Sequence, residues 1–528
     1  MERVFPRESE EGNVEYKLKL AYVSEGRLEE LASQLRYRLA EKGGEAFYVL
    51  GVSNEGEPIG LSDEEVKVSL ENLKRIAEKA GAKINVIREA SGKRGKIVEV
   101  LVRRCRETLP VQVSVIAVGH ADHGKTTTVG VLVTGELDDG DGAVMSKVAR
   151  YKHEIQMRRT SSVAERLLGF DDEGRVVNYM LTSPLDEASV FLNSSKIVSF
   201  IDVGGHERYL RTAAKGLLSH SPDYALLIVA ANAGVSQMTK EHLGIALSFR
   251  IPVFVAITKT DMVPRERVQE VLNDVIKLLK MPGVNKIPLV IEDVDDVAIA
   301  AKNMPSGRVS PIFKLSNRTG EGLDLLKTFL NLLPPRLRWK ENLNKPFLLY
   351  IDEKFNVPGV GVVVSGLVLQ GHVAVDDYVQ LGPFRDGSFR SVRIRSIHVR
   401  KGVFADSVSA GMSAAFALSN VGYDEIEKGM VLLDKKIAPK AIRKIEAEVF
   451  VLHHPTTIKP GYECTFHIHA IRESGKFVQM SKPYLRSGDL AKALIEFRYK
   501  PVYVYPGQRF LFREAHTRGV GIILNAYS

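Results

Sequence analysis

Gly119-His120-Ala121-Asp122-His123-Gly124-Lys125-Thr126 is the stretch on which the reading of this 528-residue chain turns. It fits G-x-x-x-x-G-K-[ST], a turn that joins a strand to a helix. The apolar, β-branched run 113–118 leads into it, and a helix-compatible stretch, 127–133, leads out. Gly119 and Gly124 lack a Cβ, so the backbone can curl and aim its N–H groups inward. With the helix N-terminus, the amides of this loop and of Thr127 make a nest for the α- and β-phosphates of a nucleotide. Lys125 is expected to reach the β- and γ-phosphates, and the Thr126 hydroxyl to ligate Mg2+.

Working outward, Asp202-Val203-Gly204-Gly205-His206 follows the apolar run 197–201. Asp202 is expected to hold Mg2+ through a water, Gly205 to offer its N–H to the γ-phosphate, and His206 to orient the attacking water as the catalytic residue. Thr258-Lys259-Thr260-Asp261 follows the run 252–257. Asp261 can accept both the N1–H and the N2–H2 of guanine, a donor pair that adenine lacks, and the Lys259 stem can lie over the base. Ser316-Asn317-Arg318-Thr319-Gly320-Glu321-Gly322, after 312–315, is expected to close over the base with Ser316, Asn317 and backbone N–H groups. Between the loop and Asp202 lies Arg158-Arg159-Thr160-Ser161-Ser162. A GTPase needs a mobile threonine there to complete the Mg2+ shell. Thr160 is the expected ligand and Ser161 the alternative.

The rest of the chain divides around this core. Residues 1–110 read β-α-β-α-β-β, a small α+β domain with a strand at 15–22 and a capping box, Ser62-Asp63-Glu64-Glu65, opening its second helix. Residues 111–338 alternate strands and helices, which argues a doubly wound parallel sheet with its ligand at the carboxyl ends of the strands. Pro334-Pro335 marks a linker. Short β-rich runs with glycine turns then fill 345–436 and 440–528, two consecutive all-β barrels. The expected fold is thus multidomain: an α/β phosphate-loop GTPase domain followed by two all-β barrels and preceded by the α+β domain.

Hydrophobic residues make up 45% and charged residues 26%, the balance of a chain that can build sizeable cores. The net charge of +9 favours a polyanionic partner such as RNA. Two cysteines, Cys105 and Cys464, cannot build a disulfide framework or a cysteine-based zinc site, which fits the cytoplasm. The N-terminus has no apolar signal region, and no apolar run is long enough to span a bilayer, so no membrane partner is expected.

With these motifs in place the chain resembles the translational GTPases. Its phosphate loop looks like that of elongation factor Tu and its relatives, and Asp202-Val203-Gly204-Gly205-His206 resembles their D-C-P-G-H element, with Val and Gly replacing Cys and Pro. Thr258 stands where that family usually has Asn, which leaves Asp261 as the main guanine determinant. Asp122 matches the family Asp linked to a monovalent cation beside the phosphates. Within this superfamily the chain resembles the GTP-binding protein one family of archaeal and eukaryotic proteins. That likeness rests on Gly12-Asn13-Val14-Glu15-Tyr16-Lys17-Leu18-Lys19-Leu20, on His153-Glu154-Ile155 with Arg159-Thr160-Ser161-Ser162, and on Leu452-His453-His454-Pro455-Thr456-Thr457-Ile458.

The resemblance implies binding of GTP and GDP, GTP hydrolysis, and association with the ribosome and aminoacyl-tRNA; a monomer is expected. In the resembling factors the tRNA acceptor end lies along the second domain, near the strand corresponding to 396–401. His398 stands there near the place of a family Glu, and Arg393, Arg395, Arg400 and Lys401 give that edge a basic character suited to phosphate contacts. Some members of the family have a link to RNA turnover, so the alternative is a GTP-dependent adaptor that recruits RNA-decay machinery or serves ribosome-linked quality control. An ATP-dependent kinase or ATPase would share the phosphate loop, and Asp261 argues against it.

Overall fold

A computed structural model of the chain describes residues 14–21, 25–41, 44–104, 109–149, 164–203, 219–336, 338–400, 403–514 and 517–528. At its centre is a seven-stranded sheet in the spatial order Ile287–Val290, Val309–Lys314, Val253–Thr258, Tyr224–Ala230, Val111–Gly119, Lys196–Asp202 and Ala164–Phe170. Every pairing is parallel except the last. Tyr224–Ala230 and Lys196–Asp202 are buried along their whole length, as strands covered on both faces must be. Two strands escape the sequence patterns. Ile287–Val290 is a four-residue edge strand containing a proline, and Ala164–Phe170 carries no β-branched residue. The phosphate-loop strand lies between the strands that reach Asp202 and Ala230, so Gly119 and Asp202 emerge side by side at the carboxyl edge.

The N-terminal unit is a four-stranded sheet in the order Val14–Lys17, Glu45–Leu50, Lys96–Arg104 and Ala82–Ser91. Its first strand stops at Lys17, short of the expected 15–22, and Leu18 beyond it is exposed. The expected capping box is present: Glu65 N–H donates to Ser62 Oγ at 3.3 Å, and Ser62 N–H donates to Glu65 Oε2 at 3.0 Å. Helices Glu25–Glu41 and Asp63–Lys79 cover one face of this sheet through Leu35, Leu39, Leu73 and Ile76. From the other face, Phe47 and Leu101 join the core that holds Val113, Phe170 and Phe329 of the α/β domain. Behind this apolar seam, Arg103 Nε donates to Glu45 Oε1 at 2.8 Å and Lys196 Nζ donates to Glu45 Oε2 at 3.1 Å, all three side chains being buried. Lys196 opens the strand that Asp202 closes. The docked unit therefore meets the sheet at the end away from the phosphate loop, about 20 Å from it at 3.3 Å per residue.

The first barrel is a ring of Leu348–Tyr350, Val431–Asp434, Tyr378–Gly382, Arg390–Arg400, Ser413–Leu418 and Gly361–Gln370, closed by pairing of its first and last strands. The second is a closed barrel of Lys444–His453, Leu490–Phe497, Ile471–Met480, Glu463–Ile468, Arg509–Glu514 and Thr517–Tyr527, filled by Phe466, Phe477, Phe510 and Phe512. It leans on helix Gln237–Ser248: Arg509 Nη1 donates to the Ser248 carbonyl at 2.7 Å, Arg518 pairs with Glu241, and Leu511 packs with Met238 and Leu243. Trp339, the chain's one tryptophan, donates from Nε1 to Asp223 Oδ1 at 2.7 Å and packs against Gly411 of the first barrel. Among the described residues no helix is long and apolar enough to cross a membrane.

Candidate functional site

The phosphate loop is shaped by backbone that side chains would block. Gly119 takes φ 143°, and a Cβ there would lie 2.3 Å from the Ile228 carbonyl oxygen. Its N–H donates to His242 Nδ1 at 3.1 Å. Burial pushes the His242 imidazole down to about 3, so the ring is neutral and Nδ1 has the lone pair this bond requires. Asp122 and Gly124 both take left-handed φ, 60° and 87°. Gly124 caps helix Lys125–Thr134 with no side chain over its N-terminus, which leaves the first-turn amides facing the loop.

Lys125 is buried, and its Nζ donates to the His120 carbonyl at 2.8 Å. Burial draws this ammonium down to about 8, against the opposing pull of Asp202 and Asp122. Thr126 Oγ1 donates to Asp202 Oδ2 at 2.6 Å. A hydroxyl and a carboxylate so close could both serve one Mg2+, which takes oxygen ligands at about 2.1 Å in an octahedral shell. His123 turns away from the loop's concavity. Its ring is buried with Nδ1 3.4 Å from the Ile228 carbonyl, and burial holds it near 4, uncharged.

A cavity of about 370 Å³ runs from this cradle to the expected base site. Ala121, Asp122, Gly124, Lys125, Thr126 and Thr127 of the loop and helix line it, together with Lys259, Asp261, Asn317 and Arg318 of the two later turns. Asp261 is held in place, because its Oδ1 accepts a hydrogen bond from Ser316 Oγ at 2.7 Å. Ser316 Oγ in turn accepts from the N–H groups of Arg318 and Thr319 at 3.3 and 3.0 Å. Asn317 Nδ2 donates to Thr128 Oγ1 at 2.9 Å, tying the base turn to the phosphate-loop helix.

Several expected ligands stand one step back from the cavity. Thr258 is fully buried and its hydroxyl donates to the His123 carbonyl at 2.7 Å, so its side chain braces the phosphate loop where a base contact was expected. Ser316, also fully buried, orients Asp261 where closure over the base was expected. The His120 ring turns back on the Ala121 carbonyl, so only the backbone of His120 and His123 is aimed at the loop's work. Thr160, Ser161, Gly205 and His206 lie outside the described residues. The sequence patterns passed over His242, a lone histidine on a helix, and the loop around Asp138 and Asp141, which forms a further wall of the cavity. The run Asp138-Asp139-Gly140-Asp141-Gly142 was a turn signal that could have found that loop.

On the first barrel the expected basic edge is a set of internal contacts. Arg393 pairs with Asp376, and Arg395 donates to the Val360 carbonyl. Arg400 is buried against the α/β domain: its Nη2 donates to Glu165 Oε1 at 2.9 Å and to Ser199 Oγ at 3.1 Å. The strand holding Glu165 was invisible in the sequence pattern, so the partner of Arg400 was too. Lys401 lies outside the described residues. His398 remains on the outer face, its ring 4.2 Å from that of Phe404, which is 70% exposed. The strand pairings put His398 opposite Ala415, and Ala415 opposite Ser365, so a floor of small residues runs beside the two rings.

Comparison with known proteins matches this architecture segment by segment. Residues 111–335 match the elongation factor Tu GTP-binding domain, 361–433 elongation factor Tu domain 2, and 438–526 the elongation factor Tu C-terminal domain. The chain is 42% identical over 527 residues to GTP-binding protein 1 of Xenopus laevis, covering 98% of this chain and 80% of that protein. It is 40% identical over 531 residues to GTP-binding protein 2 of Mus musculus, covering 98% and 87%. Among solved structures, translation elongation factor SelB from Methanococcus maripaludis with the GTP analogue GppNHp superposes with a TM-score of 0.55 at 21% identity, covering 80% of each chain, a likeness of fold.

Proposed function

This chain belongs to the family of elongation factor Tu-type GTPases that includes GTP-binding proteins 1 and 2, and from that premise we propose a GTP-driven carrier of aminoacyl-tRNA that works on the ribosome. It binds GTP and hydrolyses it to GDP and phosphate. The observation that carries the guanine reading is the carboxylate of Asp261, fixed by Ser316 and lining the same cavity as Lys125.

In this reading the loop amides and Lys125 gather the phosphates, and Asp261 accepts the guanine N1–H and N2–H2. Thr126 and Asp202, with Thr160 from the segment before Ala164, would hold Mg2+, which when bound screens the phosphate charge. Asp122, which lines the cavity, would sit beside a monovalent cation. His206 orients the attacking water. His206→Ala is expected to lower ribosome-stimulated turnover by about 100-fold or more while leaving GTP affinity intact, because the ring acts in the transition state. Stopped-flow phosphate release beside equilibrium GTP binding measures both quantities, and full turnover in the variant would remove His206 from the mechanism.

The outer face of the first barrel supports the RNA half of the proposal. Two adjoining rings beside a small-residue floor offer a stacking surface for a terminal base. Arg400 ties that barrel to Glu165, one position past Ala164, the strand partner of Asp202. Nucleotide state and barrel placement are therefore mechanically adjacent, in a monomeric cytoplasmic protein. Filter binding with charged tRNA should find the GTP form tighter than the GDP form, and Phe404→Ala should weaken the GTP form by about tenfold, the worth of one stacked base. Equal binding in both nucleotide states would overturn the carrier role.

A further inference from the structure

The second barrel meets the phosphate loop through one helix. On Gln237–Ser248, two consecutive residues face different neighbours: Glu241 pairs with Arg518 of the barrel, and His242 Nδ1 accepts the Gly119 N–H at 3.1 Å. A helix turns by about 100° per residue, so adjacent side chains meet different partners yet move as one body. The barrel holds this helix along its length. Leu511 shares a buried apolar cluster with Met238 and Leu243, and Arg509 Nη1 donates at 2.7 Å to the Ser248 carbonyl, one of those a helix end leaves open. The motif Leu452-His453-His454-Pro455-Thr456-Thr457-Ile458, which has no place in the nucleotide cavity, supports this hold. His454 Nδ1 lies 2.6 Å from Thr517 Oγ1, and Tyr462 Oη lies 2.7 Å from the same oxygen. Thr517 is buried directly before Arg518, and Leu452 packs against the apolar cluster that contains Leu511.

Gly119 is where a shift of that helix would act. It ends strand Val111–Gly119 and begins the loop, and it is buried. On one side the Ile228 carbonyl oxygen stands 2.3 Å from where a Cβ would lie; on the other stands His242. The start of the loop is thus confined between a core strand and the helix. A buried N–H that loses its acceptor is costly, so displacing the helix either breaks this bond or drags the loop with it. We propose that His242 is a positioning residue for nucleotide binding, and that the seating of the second barrel on its helix, through Arg518 and Glu241, sets the affinity of the phosphate loop for its ligand. The inference rests on the GTP reading above and adds to it a route by which a partner on the second barrel alters nucleotide affinity. By reciprocity, bound nucleotide tightens the barrel's seat.

The test is a double-substitution cycle, read by calorimetric titration of the full chain, freed of nucleotide, with GTP and ATP. His242→Leu strips the Gly119 N–H of its acceptor and should weaken GTP binding by about tenfold or more. His242→Asn, whose Oδ1 takes the place of Nδ1, should stay within about threefold of the unaltered chain. Arg518→Met keeps the side-chain stem and lies outside the cavity lining. It should weaken GTP by about fivefold, and by less than about twofold when His242→Leu is already present. GTP binding that is unchanged in Arg518→Met or in His242→Leu, or an Arg518→Met effect of equal size with and without His242, would each overturn the proposal. Hydrogen–deuterium exchange without nucleotide gives a second reading should His242→Leu fail to fold. Amides of residues 119–126 should exchange faster in Arg518→Met than in the unaltered chain, and equal exchange would overturn the coupling. Failure of the unaltered chain to prefer GTP over ATP is a separate result: it would refute the guanine reading, and the exchange measurement would still decide the coupling.

Discussion

Lys196 and Lys125 are both buried, burial draws both ammonium groups down to about 8, and they sit at opposite ends of one sheet. Their surroundings differ in one respect. An ammonium has three N–H donors. At Lys196 they are matched by the Glu45 carboxylate and by the carbonyl oxygens of Asn331 and Leu333, each of these two at 2.7 Å. At Lys125 one hydrogen-bond acceptor, the His120 carbonyl, is present among the described residues, with Asp202 and Asp122 acting through charge. Burial and a depressed pKa therefore do not by themselves mark a functional lysine; unfilled donors beside a cavity do. The saturated lysine joins two domains, and the one with a single acceptor among the described residues lines the cavity.

The largest expected effect falls on the saturated end. Lys196→Met keeps the buried stem and removes the charge, leaving Glu45 with Arg103 alone. It should cost about 3 kcal/mol of stability, as breaking a buried pair does. Calorimetry should show this as a lowered Tm, with the affinity of the folded protein for GTP unchanged. A variant as stable as the parent would mean that the ion network is incidental to the seam.

Lys125→Met should do the reverse. Stability should shift less than in Lys196→Met, because the buried Asp202 carboxylate keeps its bond from the Thr126 hydroxyl, while GTP affinity falls by about 100-fold with the loss of one or two charge-assisted bonds. Affinity should also fall as pH rises through about 8, by up to tenfold per unit. The empty site holds its proton only below that pH, and phosphates bind the charged form, so binding above it must take up a proton. Titrations across pH 7 to 9.5 should show this slope in the parent and in Lys196→Met and none in Lys125→Met. A slope that persists in Lys125→Met would assign the titration to another group.

Much of the fold was legible because its signals are local. The strand–loop–helix around Gly119, the alternation of strands and helices through the α/β domain, and the change to short β runs after Pro346 all arise within windows of a dozen residues. Ser62 to Glu65 was legible for the same reason, since a capping box is complete within four residues. Ala164–Phe170 was not, because an edge strand takes its identity from the neighbour it pairs with.

The sequence by itself determined that a nucleotide is held and that guanine is read, because the groups involved are contiguous at strand ends and their chemistry is set by residue type. Tertiary structure alone decided what those groups lean on. Thr258 and His123 are 135 residues apart, Arg400 and Glu165 are 235 apart, and Lys196 and Glu45 are 151 apart. No local pattern encodes such pairs, since a cation on a strand reads alike whether it faces water, a phosphate or a carboxylate of another domain. What distinguishes these cases is desolvation, and that exists only once the domains have packed.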